Sequence, residues 1–417
     1  MNLAEELKAR GLIEHESAPA AEILGAPRTV YIGIDPTADS AHVGHLVFLL
    51  LMKRLGAAGH KLIFVIGGGT GMIGDPKEKG ERILLDEATL ARNKRALTKQ
   101  LKALLGRVSF RMVDNADWLL KVKLVPFLRD IGKHFTVNDL IKRDLIKKRL
   151  NTPDESISYT EFTYPLLQGF DFLTLNETYG CNVQIGGSDQ WTNVLSGVDL
   201  IRKKRGAQAY AFTFPLITDA AGKKFGKSEG NAVWLDPKKT SPFQFYQFWL
   251  GLPDTNVEQY LKVYTFLSLV EIGALMELHR RAPQERQAQE TLARLVTEIV
   301  HGSAATAGAV AATDALYGDT PWAELSREAR AAALAEAPSI TLTRSNLVEG
   351  YPLVEALVAG GLASSKGDAR RLISGKGITL SGQTIEDPDQ KLYPGDLASG
   401  TALVRKGSRG VLILCIK

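Results

Sequence analysis

Apolar residues fall along the first half of the chain in two rhythms. The mostly apolar segments at Thr29–Ile34 and Lys61–Ile66 have the length and β-branched content of buried strands, and 110–113 is a shorter third one. Between them, 43–58 and 86–105 read as helices; the second carries Leu90, Leu97, Leu101, Leu104 and Leu105 at helical spacing. This strand–helix alternation predicts an α/β fold with a doubly wound, Rossmann-like parallel sheet. Such sheets bind ligands beyond the carboxyl ends of their strands. The alternation stops over 115–180, which is mostly helical, and resumes with a strand and turn at 181–187 and a strand at 210–217. Residues 115–180 are therefore expected to be a helical insertion between two halves of one sheet.

Further on, 240–317 is mainly helical, with boundary signals at Pro242, Pro253 and Gly302. An alanine-rich helix and a polar segment fill 318–350, the linker candidate. From 351 to 417 two short helices precede strands broken by Gly375, Gly377, Gly382, Gly395 and Gly400. The expected organisation is an α/β domain over 1–220, a helical domain over 221–317, a linker over 318–350 and a small α+β domain over 351–417.

Composition narrows the class. With 417 residues and 45% hydrophobic positions, the chain can bury a large core without staples. Its two cysteines, Cys181 and Cys415, allow no disulfide framework and point to a reducing, cytoplasmic setting. The longest apolar run, 46–52, is far below the ~20 residues of a membrane span, and the acidic N-terminus does not resemble a secretory signal. A net charge of +5 is compatible with a polyanionic partner without requiring one.

Three segments carry candidate phosphate chemistry. Asp35-Pro36-Thr37 to His42-Val43-Gly44-His45 follows the first strand and opens a helix, where free N–H groups and the helix dipole attract anions. His42 and His45, at i and i+3, can both donate to phosphate oxygens, and Gly44 leaves room beside the backbone. Gly69 to Gly74 matches G-x-G-x-x-G, but a charged loop follows where a dinucleotide site needs a helix. Its glycines instead suit a backbone that approaches a substrate, with Asp75 aimed into a pocket. Gly226-Lys227-Ser228 resembles a Walker fragment, but position 221 is Ala221 where that loop requires glycine. What remains is a lysine-rich loop able to place charge over a leaving group.

Two further segments could read a substrate. Tyr164, Gln168 and Asp171 sit at i, i+4 and i+7, one polar row of a helix. Such groups either bond one another or face a polar ligand. The strand 181–185 ends in Gly186-Gly187-Ser188-Asp189-Gln190, where an open sheet presents ligand contacts and an Asp can accept from ribose hydroxyls.

Together these residues resemble the bacterial tyrosyl-tRNA synthetases, a family of class I aminoacyl-tRNA synthetases, across essentially the whole chain. The family's HIGH signature stands as His42-Val43-Gly44-His45, and its KMSKS signature as Lys224-Phe225-Gly226-Lys227-Ser228. Valine replaces isoleucine in the first, and Phe-Gly replaces Met-Ser in the second. The tail from Tyr351 resembles a ribosomal-protein-type RNA-binding module, visible at Ser364 to Ile373.

The resemblance implies a catalytic domain over 1–220, an anticodon-side helical domain with the KMSKS-type loop over 221–317, and an RNA-binding domain over 351–417. It implies activation of L-tyrosine by ATP with Mg²⁺, no tightly bound cofactor and no resident metal, followed by transfer to tRNA. Tyr31 and Asp171 would bond the phenol hydroxyl, and Asp75, Tyr164 and Gln168 the α-amino group. Gly33, Gln184 and Gln190 would complete the tyrosine site, with Gln190 beside the carboxylate. Thr37, His42 and His45 would contact the ATP phosphates; Asp35, Gly44, Gly187 and Asp189 would hold the rest of the nucleotide. Lys224 and Lys227, with Phe225, Gly226 and Ser228, would enclose the departing pyrophosphate, helped by Lys79 and Arg82.

A tryptophan-specific relative shares the scaffold, but Tyr31 and Asp171 disfavour it. Residues 351–417 carry nine basic and six acidic side chains, a net +3 (9 − 6), and Arg370, Arg371, Lys376, Arg405 and Lys406 could track tRNA phosphates. The family also implies a homodimer formed through the inserted region, and no membrane association.

Overall fold

In the computed structural model, residues 1–74, 85–153, 155–218, 232–397, 400–407 and 410–417 are described. They divide into two compact units: Met1–Thr240 with Leu252–Leu292, and Ser241–Gly251 with Ala293–Lys417.

The first unit is built on one six-stranded sheet. Its strands are β1 (His15–Glu16), β2 (Thr29–Ile34), β3 (Lys61–Ile66), β4 (Phe110–Asp114), β5 (Val183–Gly187) and β6 (Tyr210–Phe214), in the spatial order β1-β6-β5-β2-β3-β4. All neighbours are parallel except β1, which runs antiparallel to β6. The expected alternation is present. β2, β3 and β4 come from the first half of the unit, and β5 and β6 follow the inserted helices.

The strand order reverses between β2 and β5, where Tyr31 pairs in register with Gln184. At such a switch point the connecting helices leave in opposite directions and open a crevice above the strand ends. β6 ends three residues before the expected limit, at Phe214, because Pro215 has no N–H to continue the ladder.

Two helices place the crevice's side chains. Val43–Ala57 is capped by His42 and buries an almost continuous apolar surface. Tyr159–Tyr179 starts at Ser158, whose hydroxyl accepts from the Glu161 N–H while the Glu161 carboxylate accepts from the Ser158 N–H. It ends at Gly180, whose φ of +63° closes the last turn. Phe172 and Leu175 on this helix pack with Ile131, Leu200 and the sheet residues Tyr31, Ile63 and Val65 into one core. The inserted region is thus fixed to the sheet face under the crevice.

In the second unit, β7 (Ser339–Leu342), β8 (Tyr351–Pro352), β9 (Ile378–Leu380), β10 (Gln383–Thr384), β11 (Lys391–Leu392), β12 (Thr401–Lys406) and β13 (Gly410–Ile416) form two sheets. The larger has the order β10-β9-β12-β13-β7, and β8 pairs with β11. The helices Leu353–Ala359 and Lys366–Ser374 close a core containing Leu357, Ile373 and Leu412. β7 lies within the 318–350 stretch and pairs parallel with β13.

Candidate active site

The carboxyl ends of β2, β5 and β6 line a cavity of about 320 Å³. It holds Tyr31, Gly33, Asp35, His42, Gly44, His45, Tyr164, Gln168, Asp171, Gln184, Gly187, Asp189 and Gln190, residues spread over 160 positions of sequence (190 − 31 = 159 steps). Thr37 is exposed and does not line the cavity. Asp75, Lys79, Arg82, Lys224, Phe225, Gly226, Lys227 and Ser228 lie outside the described residues.

At the inner end stands Asp171, only 5% exposed. The Trp118 indole N–H donates to its Oδ1 at 2.7 Å, and the Asn115 amide donates to its Oδ2 at 3.0 Å. Burial pushes this carboxyl up to about 7; the Asn115 and Trp118 donors pull it down, and Asp35 adds a smaller upward push. Nearby, the Tyr31 hydroxyl and the Gln184 Oε1 are buried and lack hydrogen-bond partners among the described residues. Burial, then the negative charge of Asp171, holds the Tyr31 phenol well above its ordinary value, so it stays protonated. A buried polar atom without a partner costs about 1–3 kcal/mol. Two of them beside a shielded carboxylate make a slot suited to a ligand hydroxyl.

Asp171 is oriented by a longer chain of bonds. The Asn115 Oδ1 accepts from the Gly69 N–H at 2.8 Å, and its Nδ2 also reaches Thr70 Oγ1 at 2.9 Å. The Thr70 hydroxyl donates to Asp35 Oδ1 at 2.9 Å, and the Tyr164 hydroxyl to Asp35 Oδ2 at 3.0 Å. A side chain at Gly67 would put its Cβ 2.0 Å from Asp35 Oδ1, so only glycine allows this closure. At Gly33 a Cβ meets nothing within 4 Å and would project into the cavity. In the polar row, Tyr164 thus bonds Asp35, and Asp171 accepts from Asn115 and Trp118, while both of them and Gln168, the third member, line the cavity.

At the other side, His42 caps its helix. Its Nδ1 accepts from the Gly44 N–H at 3.0 Å, and the His45 Nδ1 accepts from the His42 N–H at 3.3 Å. An imidazole that accepts at Nδ1 carries its proton on Nε2 when neutral. Both rings therefore present Nε2–H donors. They stack at 3.9 Å between centroids and 26° between planes. The backbone of His42 bridges antiparallel to Trp234, with Val43 N to Val233 O at 3.0 Å and Leu235 N to Ala41 O at 2.8 Å. The described chain just after the lysine-rich segment is thereby fastened beside the histidines, and Ile217, just before it, lines the cavity.

Sequence reasoning missed Thr70, Asn115 and Trp118. The available signal was position: Thr70 and Asn115 follow the carboxyl ends of β3 and β4. In the second unit, Arg370 pairs with Asp389, Arg371 with Asp368, and Lys376 with Glu386, all at the surface. Arg405 donates to the Gly318 carbonyl at 2.7 Å and Lys406 to the Leu362 carbonyl at 2.8 Å. Among the described residues no three His, Cys, Asp or Glu side chains cluster as a metal site, and no helix is long and apolar enough to cross a membrane.

Comparison with known proteins adds independent findings. Residues 25–318 match the family model for class I tRNA synthetases (W and Y), and 329–413 match the tyrosine–tRNA ligase SYY-like C-terminal domain. A tyrosine–tRNA ligase of Roseiflexus castenholzii is 46% identical over 98% of this chain and 97% of its own. One from Anaeromyxobacter dehalogenans is 44% identical over the full length of both. A crystal structure of a C-terminally truncated Aspergillus nidulans mitochondrial tyrosyl-tRNA synthetase superposes with a TM-score of 0.66 at 32% identity, covering 73% of this chain and 91% of that one.

Proposed function

The chain belongs to the tyrosine–tRNA ligases, class I tRNA synthetases, and from that we infer how its cavity is used. The enzyme activates tyrosine with ATP and ligates it to tRNA. The observation that carries our reading is the slot formed by Asp171, the Tyr31 hydroxyl and Gln184 in the same cavity that the stacked imidazole pair lines.

Tyrosine enters phenol first. Its hydroxyl donates to Asp171 and meets the Tyr31 hydroxyl, while Tyr164 and Gln168, with Asp75, hold the α-amino group and Gln190 faces the carboxylate. Gly33 and Gln184 bound the ring. ATP lies over Asp35, Gly44 and Gly187 with its ribose hydroxyls on Asp189. His42 and His45 aim Nε2–H donors at its phosphates, with Thr37 at their edge. Lys224 and Lys227, flanked by Phe225, Gly226 and Ser228, and Lys79 and Arg82 bring positive charge from the two neighbouring loops. ATP comes as its Mg²⁺ complex, the ion carried on the phosphates and counted with the substrate.

The chemistry needs placement more than proton transfer. The tyrosine carboxylate is already ionised. One of its oxygens attacks the α-phosphorus, a C–O–P bond forms, and the bond to pyrophosphate breaks. Donors and cations stabilise the charge that builds on the phosphate oxygens. A hydroxyl of the terminal tRNA ribose then attacks the acyl carbon, AMP leaves with the bonding pair, and the hydroxyl proton passes to the departing phosphate.

Along the sequence, the reading assigns a catalytic domain to 1–220, a helical domain to 221–317, a linker to 318–350 and an RNA-binding domain to 351–417, where Arg370, Arg371, Lys376, Arg405 and Lys406 meet tRNA. A homodimer through the inserted region is supported by its exposed apolar side chains Leu124, Val125, Val137 and Tyr159. Two unpaired cysteines support a cytoplasmic setting. Tyrosine-dependent ATP–pyrophosphate exchange tests the reading: exchange driven by tyrosine and not tryptophan is expected, and a tryptophan preference contradicts it.

A further inference from the structure

Behind Gln190 a chain of hydrogen bonds runs into the inserted region. Gln190 immediately precedes the helix Trp191–Arg205, and Asn193 lies in that helix's first turn. The Asn193 Nδ2 donates to the Gln190 Oε1 at 2.9 Å. The Arg143 guanidinium donates from one nitrogen to the Asn193 Oδ1 at 2.6 Å and from another to the Ser196 hydroxyl. Arg143 belongs to the insertion, immediately preceding the short helix Asp144–Leu150, and is partly buried.

The order of these bonds fixes a polarity. A guanidinium has only donors, so the atom of Asn193 that faces it must be the oxygen. The Asn193 amide nitrogen then faces Gln190, and the Gln190 oxygen must face Asn193. The Nε2 end of Gln190 is left as the end turned away from Asn193, on a residue that lines the cavity. A reversed Gln190 would put an acceptor there, opposite the tyrosine carboxylate. We infer that Arg143 is a positioning residue for adenylate formation, acting through Asn193 to keep the N–H end of Gln190 toward the substrate. This rests on the proposed place of Gln190 beside the carboxylate.

Supporting this, burial lowers Arg143 only to about 10 and Asp139 raises it, so it remains a cation at neutral pH. A second cavity of about 230 Å³, lined by Arg143, Thr136, Asp139 and Ser196, opens beside the guanidinium. A methionine at 143 therefore has space and does not force the neighbouring helix aside.

The test compares Arg143→Met, Asn193→Asp and Gln190→Ala in tyrosine-dependent pyrophosphate exchange, with melting temperature followed in parallel. Asn193→Asp is the most informative. The new carboxylate pairs with Arg143 and keeps the fold, yet it can only accept, so it turns the Gln190 N–H away from the cavity. The expected result is a fall in kcat of about tenfold in both Arg143→Met and Asn193→Asp, the size of one lost charge-assisted bond, with KM for tyrosine nearly unchanged. Melting temperature should stay at the wild-type value or rise in Asn193→Asp. In a Gln190→Ala background, Arg143→Met should add nothing. If Gln190→Ala keeps wild-type kcat, the assigned place of Gln190 falls, and the relay with it. If Gln190→Ala is slow while Asn193→Asp and Arg143→Met are not, the relay alone is overturned.

Discussion

Trp118 reaches Asp171 across 53 positions of sequence, donating its indole N–H to the carboxylate at 2.7 Å. A hydrogen bond to a buried ionised group contributes about 1.5–3 kcal/mol, because a water-poor interior stabilises charge less than water does. Trp118→Phe keeps the packing and removes the donor. Tyrosine affinity should fall by about tenfold or more, measured by calorimetry, while ATP affinity stays unchanged. Unaltered tyrosine affinity contradicts the role given to this contact.

The raised Asp171 carboxyl makes tyrosine binding pH-dependent. Its folded-state value of about 7 means the ligand-free protein holds a proton there below neutrality. Accepting the phenol hydroxyl, with Asn115 and Trp118 already donating, favours the ionised form. Binding therefore releases a proton below pH 7. Affinity should rise as pH climbs from about 5, with a slope approaching tenfold per unit, and level off above about 7. Asp171→Asn should flatten the profile, and Trp118→Phe should move its midpoint upward. A wild-type profile parallel to that of Asp171→Asn is the contrary result.

The imidazole pair acts on phosphate and not on tyrosine. His45→Ala removes one Nε2–H donor without touching the inner slot. Adenylate formation should slow by about 10²–10³-fold, the usual effect of deleting one donor aimed at developing charge. Tyrosine affinity should hold. Equal loss of both, read in single-turnover kinetics and equilibrium binding, contradicts the division of roles.

β7 sets where the C-terminal part can be cut. A chain ending at 350 would leave Ser339–Leu342 without its β13 partner. Ending at 337 removes that strand with the rest of its sheet and keeps the helix Arg327–Glu336, with its buried Ala333. The shortened protein should sustain tyrosine-dependent pyrophosphate exchange and lose tRNA charging. Charging at the full-length rate removes the tail from the account.

The sheet was legible in sequence because β2 and β3 are largely buried and so read as mostly apolar segments, and because helices separate them. The histidines were legible because they share one short motif with the start of a helix. Asn115 and Trp118 were not. Each is ordinary in its own stretch, and its meaning appears only when the insertion brings Asp171 within reach of the residues after β4. The same holds for Arg143, whose effect on Gln190 passes through a third residue on another helix.

Selection by the phenol hydroxyl is the central claim. A site built to bond a hydroxyl is left with unpaired buried groups when the analogue lacks it, a rule that tyrosine–tRNA ligases themselves illustrate. The most direct test is kcat/KM for tyrosine against phenylalanine in pyrophosphate exchange, for the wild type and for Asp171→Asn. The wild type should favour tyrosine by orders of magnitude, and the substitution should collapse that ratio. A ratio that survives the loss of the Asp171 charge contradicts the account.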